Sequence, residues 1–194
     1  SISTDSGTNT GDFITNDASS TISATLSSAL VSGEALEISV DGGSSYADVP
    51  SGHITGTAVS TTATLNAGTS SIKFRVADAA SNTGSVTTQA YTLDTTAPTI
   101  SSIAVTGATD GQYGNSASYT VVVTASEALP VAPTLTIGSG SVGSGSASVG
   151  DTVWTYTLTA GADGAHSIKV AAGAAQDVAG TVTTGDSATF SWTQ

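Results

Sequence analysis

Short runs of alternating apolar and polar residues, broken about every ten residues by Gly, Asn, Asp or Ser, fill this chain. A period of two sends successive side chains to opposite faces of an extended strand, so each run can bury one face and wet the other. Helical periodicity is hard to find. The spacing predicts an all-β fold, with first-half strands at 21–26, 37–40, 58–65, 71–77 and 86–93. In 71–77, Ile72, Phe74 and Val76 share one face, while Lys73 and Arg75 take solvent-face positions. Asp41-Gly42-Gly43 reads as a turn, because Gly reaches positive φ without steric cost.

The second half predicts strands at 101–106, 118–125, 134–137, 153–158, 167–170 and 187–192, with a Gly/Ser-rich hairpin or loop at 138–150. Trp154, Tyr156 and Leu158 share a face and read as core. The first half has no Trp, so Phe74, with Tyr46, is expected to fill that volume. Between the halves stands Asp94-Thr95-Thr96-Ala97-Pro98-Thr99. Pro98 holds Ala97 extended and cannot join a central ladder, which makes the segment a short, stiff connector. The expected organisation is two tandem immunoglobulin-like β-sandwich domains, residues 1–96 and 97–194. A weak internal repeat supports it: Asp78-Ala79-Ala80-Ser81-Asn82 and Asp177-Val178-Ala179-Gly180-Thr181 each precede the last strand of their half.

Charge narrows the partners. Fifteen Asp and Glu stand against three Lys and Arg, for a net charge of −12, so most carboxylates cannot have a basic partner. Lys73, Arg75 and Lys169 cannot build the cationic face that nucleic acid or an anionic membrane requires. The β-branched, patterned apolar residues argue against disorder. Without Cys there is no disulfide and no thiolate metal site. No run of 18 apolar residues and no secretion leader occur, so the chain reads as soluble and as an internal excerpt of a longer protein.

Catalytic motifs are weak. A hydrolytic triad needs a His between nucleophile and carboxylate, and His53 and His166 fall one in each half, both expected as solvated turn residues. Gly-x-Ser-x-Gly is absent. Gly138, Gly140 and Gly143 match Gly-x-Gly-x-x-Gly, but a strand follows where dinucleotide binding needs a helix N-terminus. An enzyme is therefore not expected. Hard oxygen ligands are in surplus, and Ca²⁺ takes six to eight of them. The candidates form three clusters: Asp5, Asp12 and Asp17; Asp78, Asn82 and Asp94; Asp110, Glu127 and Asp177. Asp78 and Asp94 bracket the last strand of the first unit and are expected at opposite poles. Each Asp is also a natural turn former, but crowding carboxylates costs energy that a divalent ion reverses.

Asp5-Ser-Gly-Thr-Asn-Thr-Gly-Asp-Phe-Ile-Thr-Asn-Asp, Val40-Asp-Gly-Gly-Ser-Ser-Tyr, Arg75-Val-Ala-Asp-Ala-Ala-Ser-Asn and Leu93-Asp-Thr-Thr-Ala-Pro-Thr together resemble the bacterial immunoglobulin-like repeats of large RTX-type, type I-secreted adhesins. Val123-Thr-Ala-Ser-Glu-Ala-Leu and Asp177-Val-Ala-Gly resemble a more divergent repeat of the same proteins. The resemblance implies an extender in an extracellular, cell-surface adhesin, flanked by like repeats, that projects distal ligand-binding domains for attachment or biofilm formation. It further implies Ca²⁺ at Asp5, Asp12, Asp17, Asp78, Asp94, Glu127 and Asp177. Ser81 departs from the family's Gly, and Thr181 from its Asn. A monomer is expected, without membrane insertion. The rival is a sugar- or peptide-binding module on the second domain, built from Trp154, Tyr113, Tyr119 and the 138–150 loop; an exposed Trp154 would favour it and a core Trp154 would remove most of its support.

Overall fold

The computed structural model describes residues 1–146 and 152–194. The chain forms two compact units, Ser1–Thr95 and Thr96–Gln194. Each is a β-sandwich, and a single 3₁₀ turn at Ser51–His53 is the only helix among the described residues.

Unit 1 contains β1 (Ile14–Thr15), β2 (Ser19–Thr25), β3 (Ala35–Ser39), β4 (Ala47–Asp48), β5 (Ile54–Thr55), β6 (Ala58–Thr64), β7 (Gly68–Ala77) and β8 (Thr87–Leu93). One sheet runs β1-β8-β7-β3-β4 and the other β2-β6-β5. Unit 2 contains β9 (Ile100–Thr106), β10 (Gln112–Tyr113), β11 (Ser118–Ala125), β12 (Leu135–Ile137), β13 (Ser141–Val142), β14 (Val153–Thr159), β15 (Ala165–Val170) and β16 (Phe190–Thr193). Its sheets run β10-β16-β15-β12 and β13-β14-β11-β9. The predicted 138–150 loop contributes β13, and residues 147–150 of it lie outside the described residues.

The weak sequence repeat corresponds to a repeated topology. β1 lies parallel to the end of β8 through Ile14↔Thr92 and Thr15↔Leu93, and β10 lies parallel to β16 through Gln112↔Trp192 and Tyr113↔Thr193. Two-residue strands such as these are too short for alternation to register, so the sequence did not predict them.

Alternation dictates the cores. In β14, Trp154, Tyr156 and Leu158 are buried, and they pack with Val121, Val123, Ile168, Val170 and Trp192 in one cluster. Tyr156 donates its hydroxyl to the Pro133 carbonyl at 2.6 Å, and burial pushes its phenol up to about 12. Unit 1 has two smaller clusters, one around Ile22, Ile72, Tyr91 and Leu93, the other around Leu36, Val49 and Val59. Partly buried Ile38 and Phe74 pack against both.

Two expectations are corrected. The buried aromatic of unit 1 is Tyr91, whose hydroxyl accepts the Asn66 N–H at 2.9 Å and donates to the Val40 carbonyl at 2.7 Å. Tyr46 instead lies under the Arg75 guanidinium, 3.7 Å from ring centre to Cζ, while Arg75 Nε pairs with Glu37 at 2.5 Å. His166 is no solvated turn residue either. It sits on the inward face of β15, 2% exposed, stacked on Trp192 at 5.0 Å. The alternation of β15 places His166, Ile168 and Val170 on one side, and a Gly-Ala lead-in concealed that register.

Candidate functional site

The internal repeat builds the same turn twice. In unit 1, Asp78 N–H donates to the Asn82 carbonyl at 3.0 Å, and the Asp78 carboxylate accepts the Ala80 and Asn82 N–H groups at 2.9 Å each. In unit 2, Asp177 N–H donates to the Thr181 carbonyl at 3.0 Å, and Asp177 Oδ1 accepts the Thr181 N–H at 2.8 Å. Asp begins both turns because its short carboxylate reaches amides two to four residues ahead. An isolated bridge closes each, Ala77↔Thr83 in one and Gln176↔Val182 in the other.

The surroundings of the two aspartates differ. Asp78 is exposed, and the Asn82 side-chain amide donates to its Oδ2 at 2.8 Å. That bond, with the Asn82 and Ala80 N–H donors, holds the Asp78 carboxyl below the ordinary range. Asp177 is only 2% exposed. A carboxylate oxygen of Glu127 lies within 4.8 Å of one of Asp177. Glu127 is partly buried and sits two residues beyond β11. Its neighbour Ser126 clamps the start of unit 2, for Ser126 N–H donates to the Thr99 carbonyl at 2.8 Å and Thr99 N–H donates to Ser126 Oγ at 2.9 Å. No periodic signal in the sequence marks that clamp.

The structure separates several residues that the sequence grouped. Asp110 is exposed and accepts the Ser191 N–H at 2.7 Å, beside β10 and β16 and apart from Glu127 and Asp177. Asp94 follows β8 and donates its N–H to the Thr15 carbonyl at 2.9 Å. Asp78 follows β7. Because Gly68 pairs with Leu93 at the far end of that antiparallel hairpin, Asp78 and Asp94 occupy opposite ends of unit 1.

In the N-terminal loop, Asp5, Asp12 and Asp17 are partly buried and act first as backbone acceptors. Asp5 Oδ2 takes the Phe13 N–H at 3.1 Å, Asp12 Oδ1 the Ile14 N–H at 3.0 Å and Asp17 Oδ1 the Ser19 N–H at 2.9 Å. These bonds hold Phe13 at φ 63°, a left-handed conformation that a bulky residue avoids without such support. The three carboxylates do not converge on one point. Asp5 Oδ1 is buried with no hydrogen-bond partner among the described residues.

Two carboxylates within 5 Å repel by on the order of 3 kcal/mol at an effective dielectric of 20. Lys169, the one Lys or Arg of unit 2, is ion-paired with Asp186, which holds the Asp186 carboxyl below its ordinary value. The Glu127–Asp177 pair offers two hard anionic oxygens, the donor chemistry that Ca²⁺ selects. The features of a binding face on unit 2 are divided: Trp154 is 4% exposed and Tyr119 3%, whereas Tyr113 is 85% exposed.

No family model matches this chain, and no curated protein matches it. Among solved structures it is similar to a Bacteroides ovatus protein of the mixed-linkage glucan utilization locus, SGBP-B, solved in complex with a mixed-linkage heptasaccharide. The identity is 16% and the TM-score 0.28, over 93% of this chain and 42% of that one.

Proposed function

We propose that the chain is a spacer of a bacterial cell-surface adhesin, two immunoglobulin-like sandwiches in tandem whose connector is stiffened by Ca²⁺ taken from the extracellular medium. The observation that carries this reading is the apposition of Glu127 with the buried Asp177. Asp177 caps its own turn, and a divalent cation beside it would turn the repulsion between the two carboxylates into attraction.

Asp94 is the third ligand that the adhesin resemblance implies. The remaining ligands of a six- to eight-coordinate ion would be carbonyls and water. The orphaned Asp5 Oδ1 fits a second, separate cation in the N-terminal loop. Attachment and biofilm formation belong to the distal domains such a spacer would carry.

Small-angle scattering of the full chain in CaCl₂ and in EGTA tests the stiffening, with a narrower distribution of interatomic distances expected in calcium. Superimposable profiles would overturn it. Calorimetric titration of Ca²⁺ into Asp177→Asn tests the site itself, and an affinity equal to that of the parent would remove Asp177 from it.

A further inference from the structure

β6 of unit 1 and β14 of unit 2 hold the same place, the first paired antiparallel with β2 and the second with β11. The registers match Thr61, opposite Ile22, with Tyr156, opposite Val121. They likewise match Ala63, opposite Ser20, with Leu158, opposite Tyr119. All four sit on the inward face of their strand. Unit 2 fills this space with a phenol and an isobutyl group and then closes it. β13 pairs with the end of β14, and a Cβ on Gly145 would come within 2.6 Å of the Tyr156 ring. Unit 1 puts only a small hydroxyl-bearing side chain and a methyl group there.

The difference leaves a cavity of about 320 Å³ between β3 and β6, walled entirely by residues within 38–63. Its mouth is open because the strands on that side are short: β4 pairs with β3 only at Glu37 and Ile38, and β5 with β6 only at Ala58 and Val59. Ile38, Val40 and Ala63 give it apolar walls, while Tyr46, Asp48, His53 and Thr61 bring polar groups. Thr61 is 4% exposed, and its hydroxyl lies 3.0 Å from His53 Nδ1, so a buried group fixes the exposed imidazole. His53 Nε2, the Tyr46 hydroxyl and the Asp48 carboxylate have no hydrogen-bond partner among the described residues. Neither Lys73 nor Arg75 lines the cavity.

We propose that this cavity of unit 1 binds one neutral sugar ring. Its volume falls at the small end of ligand sites, roughly 300–1,000 Å³, which suits a single pyranose better than an oligosaccharide. A carboxylate lining without a cation rejects phosphate, sulfate and acidic sugars, and one carboxylate among apolar walls offers too few oxygens for Ca²⁺. A pyranose needs hydrogen-bonding groups of both kinds beside an apolar surface. The Asp48 carboxylate accepts from its hydroxyls, the Tyr46 hydroxyl and His53 Nε2 complete the polar side, and Ile38, Val40 and Ala63 take its C–H groups. The site shares no residue with the Glu127–Asp177 pair and requires no metal.

The test titrates D-glucose, D-galactose and D-mannose, each to about 50 mM, into the 194-residue chain in EGTA, with the backbone amides and the His53 ring followed by NMR. At least one sugar is expected to shift Thr61, Ala63 and His53 saturably. Ala63→Leu, which carries the unit 2 residue into the cavity, should abolish that shift while the melting midpoint stays level or rises. Asp48→Asn, at an exposed position, should weaken binding by about tenfold, and it decides alone if Ala63→Leu lowers the midpoint. Sodium sulfate is the anion control. No saturable shift from any of the three sugars would overturn the proposal, as would parental affinity in Asp48→Asn or a response to sulfate in place of sugar.

Discussion

Ser81 and Gly180 hold the same left-handed position, φ 65° and 85°, in the matching turns that begin at Asp78 and Asp177. An L side chain at that φ costs roughly 1–2 kcal/mol, partly offset because Gly loses more entropy on folding. Ser81→Gly should therefore stabilise unit 1 by about 0.5–1 kcal/mol, and Gly180→Ser should destabilise unit 2 by a similar amount. Calorimetric midpoints of both variants check this, and a lower midpoint for Ser81→Gly would contradict it.

Glu127 and Asp177 give an effect whose sign depends on the medium. In EGTA, Glu127→Gln relieves the repulsion and should stabilise unit 2, by on the order of 1 kcal/mol after solvent screening. With Ca²⁺ at 100 times the dissociation constant, the parent gains about 2.7 kcal/mol and the variant loses most of that gain. Melting curves of both proteins in both media should cross.

Tyr91 joins two loops through one hydroxyl, accepting from Asn66 and donating to Val40. Tyr91→Phe strands both partners and should cost about 2 kcal/mol, whereas Tyr119→Phe, which loses only the Ser116 N–H bond, should cost about 1 kcal/mol. Equal losses in denaturant titrations would show that the Tyr91 hydroxyl is not the tie it resembles.

Asp41 is held well below the ordinary carboxylate value of 3.8, first by the Ser45 hydroxyl, then by the Ser45 N–H and the Ser39 hydroxyl. Its folded value lies below the unfolded one, so its contribution is complete above pH 3.8 and is lost as the pH falls toward the folded value. Asp78 and Asp186 act in the same direction. Asp41→Ala should flatten the dependence of unit 1 stability on pH below 4, relative to the parent, in urea titrations at successive pH values.

Every strand of three residues or more lay within a few residues of a stretch that alternation had marked, and Trp154, Tyr156 and Leu158 went to the core as their register required. The Asp turns were legible too, because Asp bonds to amides within its own segment. What decided the candidate site was not local. Asp78 and Asp177 open identical turns, yet one is exposed and the other buried, and only the packing of the β11 turn brings Glu127 to Asp177 and sends Asp110 elsewhere. Periodicity reports which face of a strand is wet. Which loops meet at the end of a sandwich depends on strand order, and strand order is set by long-range pairing that no short window of sequence contains.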